Sequence, residues 1–478
     1  MRHLSLLLIA SLAFATAPES ITPTYRKPFV PPAAEGRNEL QAALRGYMEL
    51  PADRVTAHPS AAEFPGAVTS AERVSRAVRY DSNLLTRWDT SAGNAPNLAT
   101  GPEVWQDTGL YAAPGETVVV RAPSLPEGRK VRVIIGCHRD SLLHLAKWQR
   151  FPVITRTWTL KPGENRIANA FGGGLFIRVD AASTVERHAK ASAAAELTFE
   201  NAVVAPTYVL GRDSAESWVA QRNAPAPWGV LVGKRAILHV PAAYLRDLAE
   251  PKALLEWWDK LLELQDDLIA LDRLAPERVV PDVQISAGFM HSGYPFMCQL
   301  KASGRHMIDL DRLSKEGDWG FFHELGHNHQ RRDWTFPGQT EVTVNLFSLL
   351  CMEKLVGKPM GEGHGALRDL DSLMTMRLGT PPNMGPFEQL APFVVLIRAH
   401  GWEPIRATLR SYKDAPARKA GDTAVPTLQN EFVRRYGHNA KADVSGFFEN
   451  LGYPVTDETR AALKAYPPFA YQPGSQGK

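Results

Sequence analysis

Hydrophobic and polar positions give the chain three textures. Between Trp105 and Leu210, short β-branched runs at 116–122, 130–136 and 174–179 alternate with turn signals. Those signals are Pro114-Gly115, Pro126-Glu-Gly128, Pro162-Gly163 and Gly172-Gly-Gly174. Strands of this length and spacing predict a β-sandwich-like module over residues 99–210. The preceding region, 16–98, is rich in Pro and Ala between 18 and 65 around one helical stretch at 38–50, and reads as a linker with a small helix.

From 211 to 358 the pattern is mixed. Residues 235–240 and 279–287 read as strands. Residues 252–271 form an amphipathic helix, with Leu254, Leu255, Trp258, Leu261, Leu262, Leu268 and Ile269 on one face and Pro251 at its start. A second helix-like run spans 342–355. Beyond it, 359–478 carries helical periodicity at 387–400, 402–412 and 428–436, which predicts a helical lobe closing one side of a cleft. The fold class is therefore α+β multidomain.

Length and charge narrow this only a little. A chain of 478 residues has room for roughly two to four domains. With 54 Lys and Arg against 51 Asp and Glu, it lacks the charge of a dedicated nucleic-acid binder. Residues 1–15 have a basic start, an apolar centre and small residues at the end, so they read as a signal peptide cut after Ala13-Phe-Ala15. No other segment is long and apolar enough to span a bilayer. The expectation is an exported protein, periplasmic or extracellular. Cys137, Cys298 and Cys351 are too few for a disulfide framework; one bridge with a free thiol, or three buried thiols, both fit.

The chemistry concentrates in Asp318-Trp-Gly-Phe-Phe-His323-Glu324-Leu-Gly-His327-Asn-His-Gln330. His323 and His327, one helical turn apart, face the same side and suit one Zn²⁺. Glu324 falls where a general base would act on water. Glu341, opening the 342–355 run, completes a set of two imidazoles and a carboxylate with an open position. His329 is a weaker ligand candidate, being turned elsewhere on the helix. The longer motif with a third histidine fails, because Gln330 and Asp333 stand at its glycine and histidine positions. Asn345, one turn after Glu341, is a candidate to orient a ligand, with a surface amide as the alternative. Trp334 offers a flat face to a sugar, or core packing. Gly172 and Gly173 would let a substrate approach the backbone, although a tight turn or bulge is the commoner reason for such glycines.

Several separated stretches carry a family resemblance: Trp105-Gln-Asp-Thr-Gly-Leu-Tyr-Ala112, Ile135-Gly-Cys-His-Arg-Asp140, Phe171-Gly-Gly-Gly-Leu-Phe-Ile177, Asp282-Val-Gln-Ile-Ser-Ala-Gly-Phe-Met-His-Ser-Gly-Tyr-Pro295, the zinc motif, and Glu341-Val-Thr-Val-Asn-Leu-Phe347. Over about residues 100–410 the chain resembles the enhancin and mucin-degrading glycoprotein peptidases, the M-sixty family of zinc gluzincins. The resemblance implies a β-rich module before a gluzincin-type zinc metallopeptidase core with a helical C-terminal part. It also implies cleavage of glycoproteins, often O-glycosylated mucins, with the glycan contacted. The third glycine of Gly172-Gly-Gly174 and the basic Arg139 depart slightly from the pattern and bear on substrate preference. For an oxyanion donor, Tyr294 and His291 are candidates, since both lie in the loop before the zinc helix; an ordinary packed tyrosine is the alternative for Tyr294. Two competing readings are a glycan-binding or adhesion protein with a vestigial core, and a zinc protease indifferent to glycans.

Overall fold

Alternating burial builds the N-terminal half. The structure, a computed structural model, describes residues 17–68, 71–81, 104–180, 194–378, 384–413, 415 and 424–471. The segment 1–15 lies outside the described residues. Strands β1 (Val74–Asp81), β2 (Gln106–Ala112), β3 (Val118–Ala122), β4 (Lys130–Ile135), β5 (Arg156–Thr159), β6 (Gly163–Ile167), β7 (Gly173–Asp180) and β8 (Ala194–Val204) form one hydrogen-bonded set. It folds as two layers that share the long β8, whose first part pairs with β1 and β3 and whose end pairs with β2. Val118 and Val120 of β3, Phe199 of β8, Val131 and Val133 of β4 and Ile177 of β7 meet in a single apolar cluster between the layers. That is the β-sandwich the turn spacing predicts.

The second sheet has the order β13-β14-β12-β11-β10-β9, made of β9 (Thr207–Val209), β10 (Trp228–Val232), β11 (Ala236–Pro241), β12 (Glu277–Asp282), β13 (Met290–His291) and β14 (Phe296–Gln299). The long helix Pro251–Ile269 covers it, burying Leu254, Leu255, Trp258, Leu261 and Leu262, and stops where Ala270 turns left-handed at φ 54°. The strand expected at 279–287 ends instead at Asp282, where the chain leaves the sheet towards β13, the edge strand. The helices Thr340–Lys354, Pro386–His400 and Val425–Ala440 share a third core with Trp334, Phe393, Phe432 and Tyr436.

The linker reading of residues 18–65 is overturned. Leu40, Leu44 and Tyr47 line one face of the helix Ala34–Met48 and pack, with Ile21, Val55 and Phe64, against Trp148, Phe151, Phe171 and Trp228. The Pro and Ala content concealed an i, i+4, i+7 apolar stripe. All three cysteines are buried free thiols. Among the described residues no helix is long and apolar enough to cross a membrane.

Candidate metal centre

The zinc-motif helix, Trp319–His327, is capped by Asp318, whose carboxylate accepts from Phe321 N at 3.2 Å. Phe321, Phe322 and Leu325 are buried under it, which leaves His323, Glu324 and His327 half-buried on its other face. Gly326 lets a second helix approach: a Cβ there would sit 3.0 Å from Phe347 Cβ and 3.1 Å from Val344 Cγ2. That crossing carries Glu341, in the first turn of Thr340–Lys354, to the two histidines.

Glu341 Oε2 lies 3.0 Å from His323 Nε2 and 3.5 Å from His327 Nε2, and the two Nε2 atoms are 3.1 Å apart. The far side of each ring fixes its tautomer. His323 Nδ1 faces Asn345 Oδ1 at 2.8 Å, and the Asn345 amide is oriented by donating to the Glu341 carbonyl at 2.8 Å. His327 Nδ1 faces Gln330 Oε1 at 2.7 Å, while Gln330 Nε2 donates to Thr340 O and Thr343 Oγ1 at 2.8 and 2.7 Å. With oxygens as partners the Nδ1 atoms carry the protons, so two Nε2 lone pairs and a carboxylate converge on one point. Such a convergence is repulsive without a cation. Two imidazoles and one carboxylate are the donor set of an open catalytic Zn²⁺ site, so these residues fit that ion.

Burial pushes the Glu324 carboxyl above its ordinary range, against the opposing pull of His327, His323 and the neighbouring Ser292 backbone. His329 turns away from the site: its Nε2 faces Asp266 at 2.9 Å and its Nδ1 the Leu325 carbonyl at 2.8 Å.

Other expected site residues are corrected. The Tyr294 hydroxyl accepts from Trp105 N at 3.3 Å and Arg278 Nε at 3.4 Å, so it ties the β module to the second sheet instead of serving the cleft. Both nitrogens of His291 already face acceptors, Asp140 Oδ2 at 2.8 Å and Ser292 O at 2.9 Å, which leaves no free donor for an oxyanion. Trp334 is 1 % exposed and packs against Phe347, with no face open to a sugar. Gly172, at φ +64°, and Gly173, at φ +137°, are buried where a Cβ would come within 2.5 Å of Ala112 O and Gly136 Cα respectively. They are glycines because neighbouring backbone lies too close there for a Cβ. Two partners were missed. Gln330 lies three residues past His327, a spacing that signals the same helical face, whereas Asp140 is 151 residues from His291 and gave no local signal.

Residues 201–452 match the family described as Peptidase M60, enhancin and enhancin-like. The chain belongs to this family. Residues 73–190 match the N-terminal domain of M60-like peptidases. TRPM8 channel-associated factor 2 of Bos taurus is 34% identical over 410 residues, which covers 82% of this chain and 42% of the relative. The Homo sapiens protein of that name is 33% identical over 386 residues, covering 78% and 40%. The chain thus spans about two fifths of these curated relatives. Among solved structures, a functionally unknown conserved protein from Bacillus anthracis aligns with TM-score 0.65 at 20% identity, covering 83% of this chain and 80% of that one. The M60 catalytic domain of Clostridium perfringens ZmpC, in complex with the sialyl T antigen, aligns with TM-score 0.60 at 16% identity over 83% and 80%. At these identities the likeness is one of fold, and that fold is the α+β architecture of an M60 peptidase with its β module and helical C-terminal region.

Proposed function

We propose that this M60-family chain is an exported zinc endopeptidase that hydrolyses peptide bonds of glycoproteins, with O-glycosylated, mucin-type substrates. The observation that carries the reading is the complete donor set, His323, His327 and Glu341, with Glu324 beside it and both histidine tautomers set for binding. The glycan part rests on M60 neighbours seen with the sialyl T and Tn antigens. We divide the chain into a leader at 1–15, an N-terminal region to 98, a β module at 99–210, a peptidase core at 211–358 and a helical lobe at 359–478.

When bound, Zn²⁺ supplies Lewis acidity to a scissile carbonyl and to water. Glu324 takes the proton from the attacking water and returns it to the leaving nitrogen. Asn345 and Gln330 hold the ligand rings in orientation.

The test is cleavage of one mucin-type glycoprotein, intact and deglycosylated, by wild type, Glu324→Gln and chelated protein. We expect cleavage of the intact form alone, lost in both controls, while Glu324→Gln still binds one zinc. Equal cleavage of both forms would discard the glycan requirement. The similarity to TRPM8 channel-associated factors favours a second reading, a binding protein with an idle core. Zinc-loaded wild type inert on both forms would establish that one.

A further inference from the structure

Past Ile135, where β4 ends, the chain leaves the sandwich as a loop, residues 136–155, and lies against the segment joining β12 to β13. Side chains staple the two together in antiparallel order. Arg150 grips both carboxylate oxygens of Asp282 at 2.8–3.0 Å, with the pair buried to 1% and 0% exposure. Gln149 N donates to Gln284 Oε1 at 2.6 Å. Asp140 Oδ2 then accepts from Ser286 N at 2.6 Å and faces His291 Nε2 at 2.8 Å. Arg150 also steadies Asp140, donating to its carbonyl at 2.9 Å.

The stapled segment ends in β13, the edge strand beside the zinc-motif helix. Immediately after β13, Ser292 neighbours the Glu324 carboxyl, and Gly293 N donates to Asn328 Oδ1 at 3.1 Å from the far side. The segment next to Glu324 is thus held from one side by the zinc-motif helix and from the other by the β module. His291 is the joint. Its two nitrogens bridge Asp140 and the Ser292 carbonyl, and an imidazole facing two acceptors is satisfied in full only as imidazolium. The charged groups around it are Asp140 from the module and Glu324 from the zinc helix.

We propose that Asp140 of the N-terminal β module is a positioning residue of the peptidase site, fixing through His291 the edge strand and the Ser292 backbone beside Glu324. The module is then part of the active site and not an appended binding unit. This rests on the peptidase reading above, so the experiment carries one readout that does not.

In the zinc-loaded full chain, compare wild type, Asp140→Asn, Asp140→Glu, His291→Gln, the double variant Asp140→Asn/His291→Gln, and Gln284→Ala. Measure kcat and KM, thermal midpoint, and the titration of the His291 ring by NMR. Asp140→Asn keeps the shape and the Ser286 contact, and should lower the His291 midpoint. Its kcat should fall about 10- to 100-fold with KM within about 3-fold. Asp140→Glu should recover part of kcat, and the double variant should be no slower than His291→Gln alone. Gln284→Ala, which loses a staple remote from His291, should lower the thermal midpoint and leave the His291 titration in place. An unmoved His291 midpoint in Asp140→Asn, or losses that multiply in the double variant, would overturn the proposal. If wild type cleaves no substrate, the peptidase reading falls, and the His291 midpoint alone then upholds or overturns the coupling.

Discussion

Asn345 and Gln330 decide which nitrogen of His323 and His327 faces the candidate metal centre. Asn345→Ala or Gln330→Ala frees a ring to rotate and to change tautomer, so zinc affinity should fall about 10- to 100-fold in a chelator competition. Affinity at the wild-type level in both would reduce these contacts to packing. Spacing alone pointed to Asn345, because i+4 on a helix is a contact rule. Chemistry alone misled at Trp334 and Tyr294. Both are aromatic and near the motif in sequence, yet which way a side chain points depends on distant partners. For Tyr294 these include Trp105, 189 residues away, which no local pattern reveals.

At the scale of elements, periodicity read the amphipathic helix to within two residues at its C-terminal end, Ile269 against 271. It also found the helix Ala34–Met48, read at 38–50, but composition led that segment to be taken as a linker when its apolar face is packed. The triple glycine was legible as a backbone feature, but only the structure distinguishes close backbone packing from ligand approach. Gly172→Ala combines a left-handed φ with a 2.5 Å contact to Ala112 O, and should cost about 1–3 kcal/mol in urea unfolding with little change in zinc affinity. Gly326→Leu acts differently, since it pries apart the two ligand-bearing helices. It should lose zinc binding together with stability, and retention of tight zinc binding would show that the crossing tolerates a side chain.

For the whole molecule, the interface between sandwich and peptidase core is charged as well as apolar. Arg278 of β12, itself fully buried, grips the largely buried Asp107 of β2 through two 2.8 Å contacts, and breaking either this pair or Arg150–Asp282 should cost about 3–5 kcal/mol. His138 sits in the same junction between the rings of Phe64 and Trp228, and burial pushes its pKa down to about 4. Between about 4 and its unfolded value near 6.5, the unfolded chain binds a proton that the folded chain refuses. Stability is therefore full above 6.5 and declines as pH falls towards 4, by about 3 kcal/mol from this group. His138→Gln should flatten that part of the profile of unfolding free energy against pH; an unaltered slope would assign the acid sensitivity to other groups.

The two family matches meet between residues 190 and 201, and β8, Ala194–Val204, runs straight across that seam while serving both layers of the sandwich. Recombination there would strand half a β-strand on each product and leave Asp282 and Asp107 each with a buried charge and no counterion. Such an architecture resists shuffling. Separated at that seam, the sandwich and the second unit should each fold poorly, while the two together keep every pair.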